Sequence, residues 1–219
     1  MAVRLSKRTY FSAHHIQAAA LFARQAQAIE VAHAGTTAFS PDHRGYVLAS
    51  VFSSVAFLEA TINELFTDAH DRHLQRLNGL DHHSINLMAD MWAQGIPRTA
   101  RYPVLDKYAV ALTLAQKIPM EKGAAPWQPT ALLIQLRNAL IHYEPEWLPT
   151  NVHKAEDEAH KLAKTLRGRF TPNPLTGAGN PYYPDKVLGH GCAEWAVKTS
   201  TEFVDEFVRR LGIKPLPRP

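Results

Sequence analysis

The sequence predicts an all-α fold, a bundle of about five to seven helices. Three observations predict it. Apolar residues recur at the helical period of about 3.6 over long segments. No convincing run alternates apolar and polar residues as a half-buried strand does. Prolines fall where helical patterns begin or stop. The 219 residues can bury one sizeable core and show no internal repeat, so 1–219 reads as a single helical domain.

The first element is an alanine-rich helix over about 13–34. Ser40-Pro41-Asp42 then reads as an N-terminal helix signal. It opens a long helix to about His73, in which Val47, Val51, Val55, Leu58, Ile62, Leu65 and Phe66 keep the helical spacing, so this is the expected central core helix. The segment L-N-G-L-D-H-H-S-I-N-L-M-A-D-M-W is less regular and has room for one short helix. Tyr102–Ile118 is the next amphipathic stretch, stopped by Pro119. A helix follows over Pro129–Tyr143, where Pro129 suits a first turn because its missing N–H is not needed there. A strongly charged helix is expected over Val152–Arg169, on the surface. The proline- and glycine-rich stretch 171–184 reads as an irregular loop. A last amphipathic helix spans about Lys186–Leu211, and the tail 212–219 is expected to fray.

Composition narrows the function classes. Hydrophobic residues at 46% and charged residues at 20% are ordinary for a soluble globular protein. No window is read as reaching the roughly 18 apolar residues of a membrane span, so no membrane association is expected. The basic start M-A-V-R-L-S-K-R lacks the apolar segment of a signal peptide. The one cysteine, Cys192, excludes an internal disulfide, and a cytoplasmic location is expected. The net charge of +4 permits a polyanionic partner without demanding one.

The Pro129–Tyr143 segment carries unusual polarity in R-N-A-L-I-H-Y-E-P-E-W. On a wheel, Leu132, Leu133, Leu136, Ala139, Leu140 and Tyr143 share one face, the expected core side. The opposite side holds Arg137, Ile134, Ile141, Asn138 and His142. Asn138 and His142 stack four residues apart. Ile134 and Ile141 then face away from the core, rimmed by polar groups, which is the pattern of a contact surface. Arg137 and His142 diverge by about 140° and do not easily converge within one protomer. Two helices crossing at a two-fold axis bring four such side chains around one groove. This helix is therefore expected at a homodimer interface.

R-N-A-L-I-H resembles the Arg-x4–6-His signature of HEPN domains, with a polar Asn138 directly after Arg137. The upstream S-V-A-F-L-E-A-T-I-N-E-L-F is similar to the early core helix of several HEPN proteins, which often carries an acidic residue, here Glu59. The resemblance covers roughly Ser40–Trp147 and fits the last helix more loosely. It implies an HEPN-like helical bundle. Many members are dimeric, metal-independent endoribonucleases acting in toxin–antitoxin, phage-defence and CRISPR systems. RNA, a second copy and an antitoxin protein are thus the implied partners, with no cofactor and no metal. In many HEPN toxins a tyrosine lies two residues after the histidine. Here Tyr143 follows His142 directly and Glu144 takes the later position.

The implied chemistry uses the RNA's own 2′-hydroxyl as nucleophile on the adjacent phosphate. His142 carries an imidazole, which can take that proton or supply one to the leaving oxygen. Arg137 offers planar donors to the phosphate oxygens as charge gathers on them, and Asn138 positions either group. The products would be a 2′,3′-cyclic phosphate and a 5′-hydroxyl. Glu59 and Asn63 lie four apart on the core helix, either orienting Arg137 or His142 or forming a satisfied polar pair. Tyr143 is read as a core residue beside this machinery. The alternative to catalysis is a bundle that binds RNA or a protein partner through the same groove.

Other motifs compete. His70 and His73 beside Asp68 and Asp71 have metal-compatible spacing, but a solvated helix end has the same pattern. Cys192 near a helix start is either a low-pKa thiol or a buried structural one. Tyr182 and Tyr183 either stack on bases or pin the 171–184 loop to the bundle.

Overall fold

The computed structural model describes residues 8–98, 102–145 and 161–214, and over these the chain is all-helical, without a strand. Two long helices set the frame. α1 (Phe11–Ala32) and α2 (Pro41–His70) run antiparallel. Ser12 at the start of α1 meets Glu64 near the end of α2, while Glu30 near the end of α1 meets His43 at the start of α2. Ser40 caps α2 by accepting from the His43 N–H at 3.2 Å, with Pro41 in the first turn as its sequence implies.

Five further helices pack on this pair: α3 (His82–Ala93), α4 (Val104–Leu114), α5 (Trp127–Ile141), α6 (Lys161–Leu166) and α7 (His190–Leu211). α2 is the spine. Its second half joins α3, α4 and the end of α7 in one apolar cluster. Its first half joins α5, α6 and the start of α7 in another. Helices approach closely where residues are small: the Ser50 hydroxyl donates to the Ala19 carbonyl at 2.9 Å and reaches that of Ala193 at 3.4 Å, tying α1, α2 and α7. Tyr108 is fully buried, donates to the Leu58 carbonyl at 2.8 Å and stands edge-on to Phe203 and Phe207. Burial pushes its hydroxyl well above the usual tyrosine range, aided by the negative charge of Glu59.

Several expected boundaries move, for tertiary reasons. α1 starts at Phe11 because the Glu64 carboxylate caps it, accepting from the Ser12 N–H at 2.8 Å and its hydroxyl at 2.6 Å. α7 starts at His190, not Lys186, because Glu30 accepts from the His190 N–H at 2.6 Å. α4 is shorter than Tyr102–Ile118, beginning after Pro103. Of the expected Val152–Arg169 helix, residues 161–166 are helical and 152–160 lie outside the described residues. The tail does not fray at its start: Gly212 ends α7 in a left-handed turn (φ 81°) and Ile213 is buried in the core. Gly79 (φ 117°) packs against the Gly212 carbonyl, where a Cβ would collide. Residues 215–219 lie outside the described residues.

The expectation that no stretch is long and apolar enough to span a membrane is corrected by α2. Its length and composition suffice. Small alanine and serine residues disguise the apolar run. Half of the relevant window is buried inside the bundle.

Candidate functional site: a cationic cleft along α5

α5 begins with Trp127 buried and Pro129 in its first turn, where Thr130 donates its hydroxyl back to the Pro126 carbonyl at 2.7 Å. Leu132, Leu133 and Leu136 form its buried face, as the wheel expects. The helix ends at Ile141, three residues before Glu144, where Pro145 disfavours helical backbone. His142 is the cap residue, with φ −100° and ψ 38°, and its N–H donates to the Asn138 carbonyl at 2.9 Å.

The folded helix corrects two expectations. Tyr143 does not belong to the core: it lies beyond the helix and is 45% exposed, since its wheel position held only while the helix continued. Ile134 is not exposed either. It packs partly buried against both apolar clusters, because the wall formed with α2 and α4 reaches round to that side of α5. Ile141 is 49% exposed, facing solvent as the wheel expects.

Ile134, Arg137 and Asn138 line one side of an open cleft of about 830 Å³ between α5, α2 and α4. Glu59 and Asn63 of α2 and Lys107 of α4 line it too. Four cationic side chains and two carboxylates border it, a cationic balance. Lys107 is 3% exposed. A buried ammonium needs partners, and Lys107 Nζ donates to Glu59 Oε2 at 3.1 Å and Asn63 Oδ1 at 3.2 Å. Glu59 therefore does not hydrogen-bond Arg137 or His142; the closer cation is Lys107, because Glu59 and Asn63 sit on the α2 turns that face α4. Arg137 lines the same cleft half-buried, and its Nε is buried with no hydrogen-bond acceptor among the described residues. His142 is exposed at the helix end and does not line this cleft.

Sequence reasoning missed Lys107. The signal was present: Lys107 lies three residues after Val104 and four before Ala111, both buried, so it belongs to the buried face of α4.

The competing motifs have structural settings. Asp68 is buried and receives Arg8 at 2.7 Å, Arg76 at 3.4 Å and the Tyr10 hydroxyl at 3.1 Å, with His73 bonded to Tyr10. Burial raises its carboxyl above the usual range, against the lowering pull of these partners. Among the described residues no three His, Cys, Asp or Glu side chains gather as a metal would require. Cys192 is fully buried and desolvation pushes its thiol up, which makes a poor nucleophile. Tyr183 is buried in the second cluster, and the Arg167 guanidinium lies 4.5 Å from the centre of the Tyr182 ring, so both anchor the loop. No protein-family model, no curated protein and no solved structure matches this chain.

Proposed function

We propose that the chain is a metal-independent, HEPN-type endoribonuclease that acts as a homodimer through the end of α5. The observation that carries the reading is Arg137. Arg137 lines a cleft of cationic balance and its guanidinium makes no hydrogen bond or ion pair among the described residues, and a phosphodiester oxygen is an acceptor that matches it. Asn138 on the next position adds an amide to the same wall. Lys107, ion-paired with Glu59, forms part of the same wall and does not compete as a free ammonium for the phosphate.

The reaction needs a proton removed from the 2′-hydroxyl and a proton given to the departing 5′-oxygen. The 2′-oxygen forms a new bond to phosphorus, the 5′-oxygen bond breaks, and a cyclic phosphate and a 5′-hydroxyl result. His142 lies outside the cleft of its own chain, next to exposed Ile141 and Tyr143. Pairing of these apolar residues across a two-fold axis brings the partner's imidazole toward Arg137, and two copies supply one base and one acid. A protein antitoxin is the matching regulatory partner, and the cytoplasm the matching site of action.

Incubating single-stranded RNA with the protein in EDTA tests this. Fragments ending in 2′,3′-cyclic phosphate, absent when the substrate is 2′-deoxy, are expected; equal cleavage of the 2′-deoxy strand contradicts it. The place of His142 outside the cleft also favours a second reading, a non-catalytic module that binds RNA or protein through the same surface. That reading expects binding with no fragments at all.

A further inference from the structure

The cleft at Arg137 is not closed. It opens into a second hollow of about 630 Å³, and the two share Lys122, Trp127, Ala131 and Gln135 in their linings. Through these shared residues the two hollows adjoin along α5. The second hollow is bordered by Lys122, Lys164, Arg167 and Arg169, with the amides of Gln128 and Gln135, and among the described residues by no carboxylate. Its cations are underused. Lys164 makes no hydrogen bond or ion pair among the described residues, while Arg169 reaches only the Thr165 carbonyl at 3.4 Å. Lys122 is 72% exposed and stands 3.7 Å from Asp106. Arg167 is spent on the Tyr182 ring. The apolar members, Trp127 and Leu132, are buried beneath the floor.

We propose that this second hollow is a track for the phosphate backbone of single-stranded RNA entering or leaving the Arg137 cleft, so that the site takes a strand of several nucleotides and not a mononucleotide. The proposal rests on the reading that the Arg137 cleft holds a phosphodiester. Three features favour a nucleic acid strand. The hollow is concave and adjoins that cleft, sharing four lining residues with it. Its donors come from separate segments: Lys122 before α5, Gln128 and Gln135 on α5, and Lys164, Arg167 and Arg169 on and just after α6. Each hollow also falls within the roughly 300–1,000 Å³ that accommodates a ligand of nucleotide size. A lipid surface would need exposed apolar side chains beside the cations, and here they lie under the floor. Neutralising successive phosphates makes affinity salt-dependent, with a slope of about −0.7 per phosphate on a single strand.

The test is fluorescence-anisotropy binding of a 2′-O-methyl RNA 12-mer and trimer to the full chain, with salt titration. The wild-type protein is expected to bind the 12-mer more tightly than the trimer. Lys164→Ala/Arg169→Ala is expected to lose most of that gain and to flatten the salt slope by about 1.4. Lys161→Ala, on the same helix outside the groove, serves as the folded control and should bind like wild type. A double variant with wild-type affinity and slope overturns the track while leaving any RNA cleavage, and so the nuclease reading, standing. A flattened slope in a protein that never cleaves RNA supports the track and contradicts the nuclease instead. A wild-type protein that binds neither oligomer overturns both. Equal binding of polyglutamate with the same slope overturns the RNA assignment in favour of an acidic protein.

Discussion

Lys107 Nζ on α4 lies 3.1 Å from Glu59 Oε2 on α2, and this pair forms part of the wall of the cleft that holds Arg137. The partners are unequal: the lysine side chain is 4% exposed and the glutamate 37%. Glu59→Leu leaves a buried ammonium with only Asn63, and should lower stability by about 2–3 kcal/mol, at or below the low end for a broken buried pair because the glutamate is partly solvated. Lys107→Met leaves a carboxylate that water can reach, and should cost under about 1.5 kcal/mol. The double variant should recover most of the Glu59→Leu loss. Urea denaturation of the four proteins measures the coupling, and additive effects would contradict it.

Glu64 caps α1 from a helix 52 residues away in sequence, through the Ser12 N–H and hydroxyl. It also receives Arg76 at 3.3 Å. Glu64→Ala is expected to cost about 1–2 kcal/mol, the worth of a good cap, and to speed amide exchange in the first turn of α1. Unchanged exchange at Ala13 and His14 would mean that the cap carries nothing.

These caps explain much of what could be read from the sequence and what could not. The α2 spine was legible because one helix buries one face, and its spacing is local. The starts of α1 and α7 were not, since Glu64 and Glu30 act across 52 and 160 residues of separation. Arg137 and Asn138, both expected on the polar side of α5, do share a cleft wall, whereas His142, expected to stack with Asn138, lies outside that cleft. The wheel failed at Tyr143 because it extended a helix that stops at Ile141, and at Ile134 because it could not know that α2 and α4 wall that side. Lys107 was overlooked because a lysine among apolar residues reads as a surface group unless its helical face is checked.

Ile141 is the exposed apolar residue beside His142. Ile141→Asp places a charge in the proposed two-fold contact and should shift the protein to monomer in sedimentation velocity, with cleavage falling in step. A wild-type protein that is monomeric at assay concentration would remove the composite site.

Glu206 accepts from Arg209 at 2.7 Å and from Arg210 at 2.6 Å, and these bonds, Arg209 first, hold its carboxyl down to about 2. Arg210 in turn donates to the carbonyls of Ile118 and Pro119, tying the loop after α4 to α7. A depressed carboxylate stabilises the fold above its unfolded pKa, near 4.5, and loses that contribution as the pH falls toward 2. Glu206→Gln should therefore lower the melting temperature at neutral pH by an amount worth about 1 kcal/mol or less, because the pair lies at the surface. The gap between wild type and variant should close as the pH falls from about 4.5 to 2. A gap that widens there would reverse the assigned sign.

The rate of RNA cleavage in EDTA by wild type and His142→Ala, each checked for folding by circular dichroism, bears most directly on the central reading. Loss of a general acid–base group should slow cleavage by about 10²–10⁴-fold, with Arg137→Ala similarly impaired. A His142→Ala protein that cleaves as fast as wild type would contradict the account.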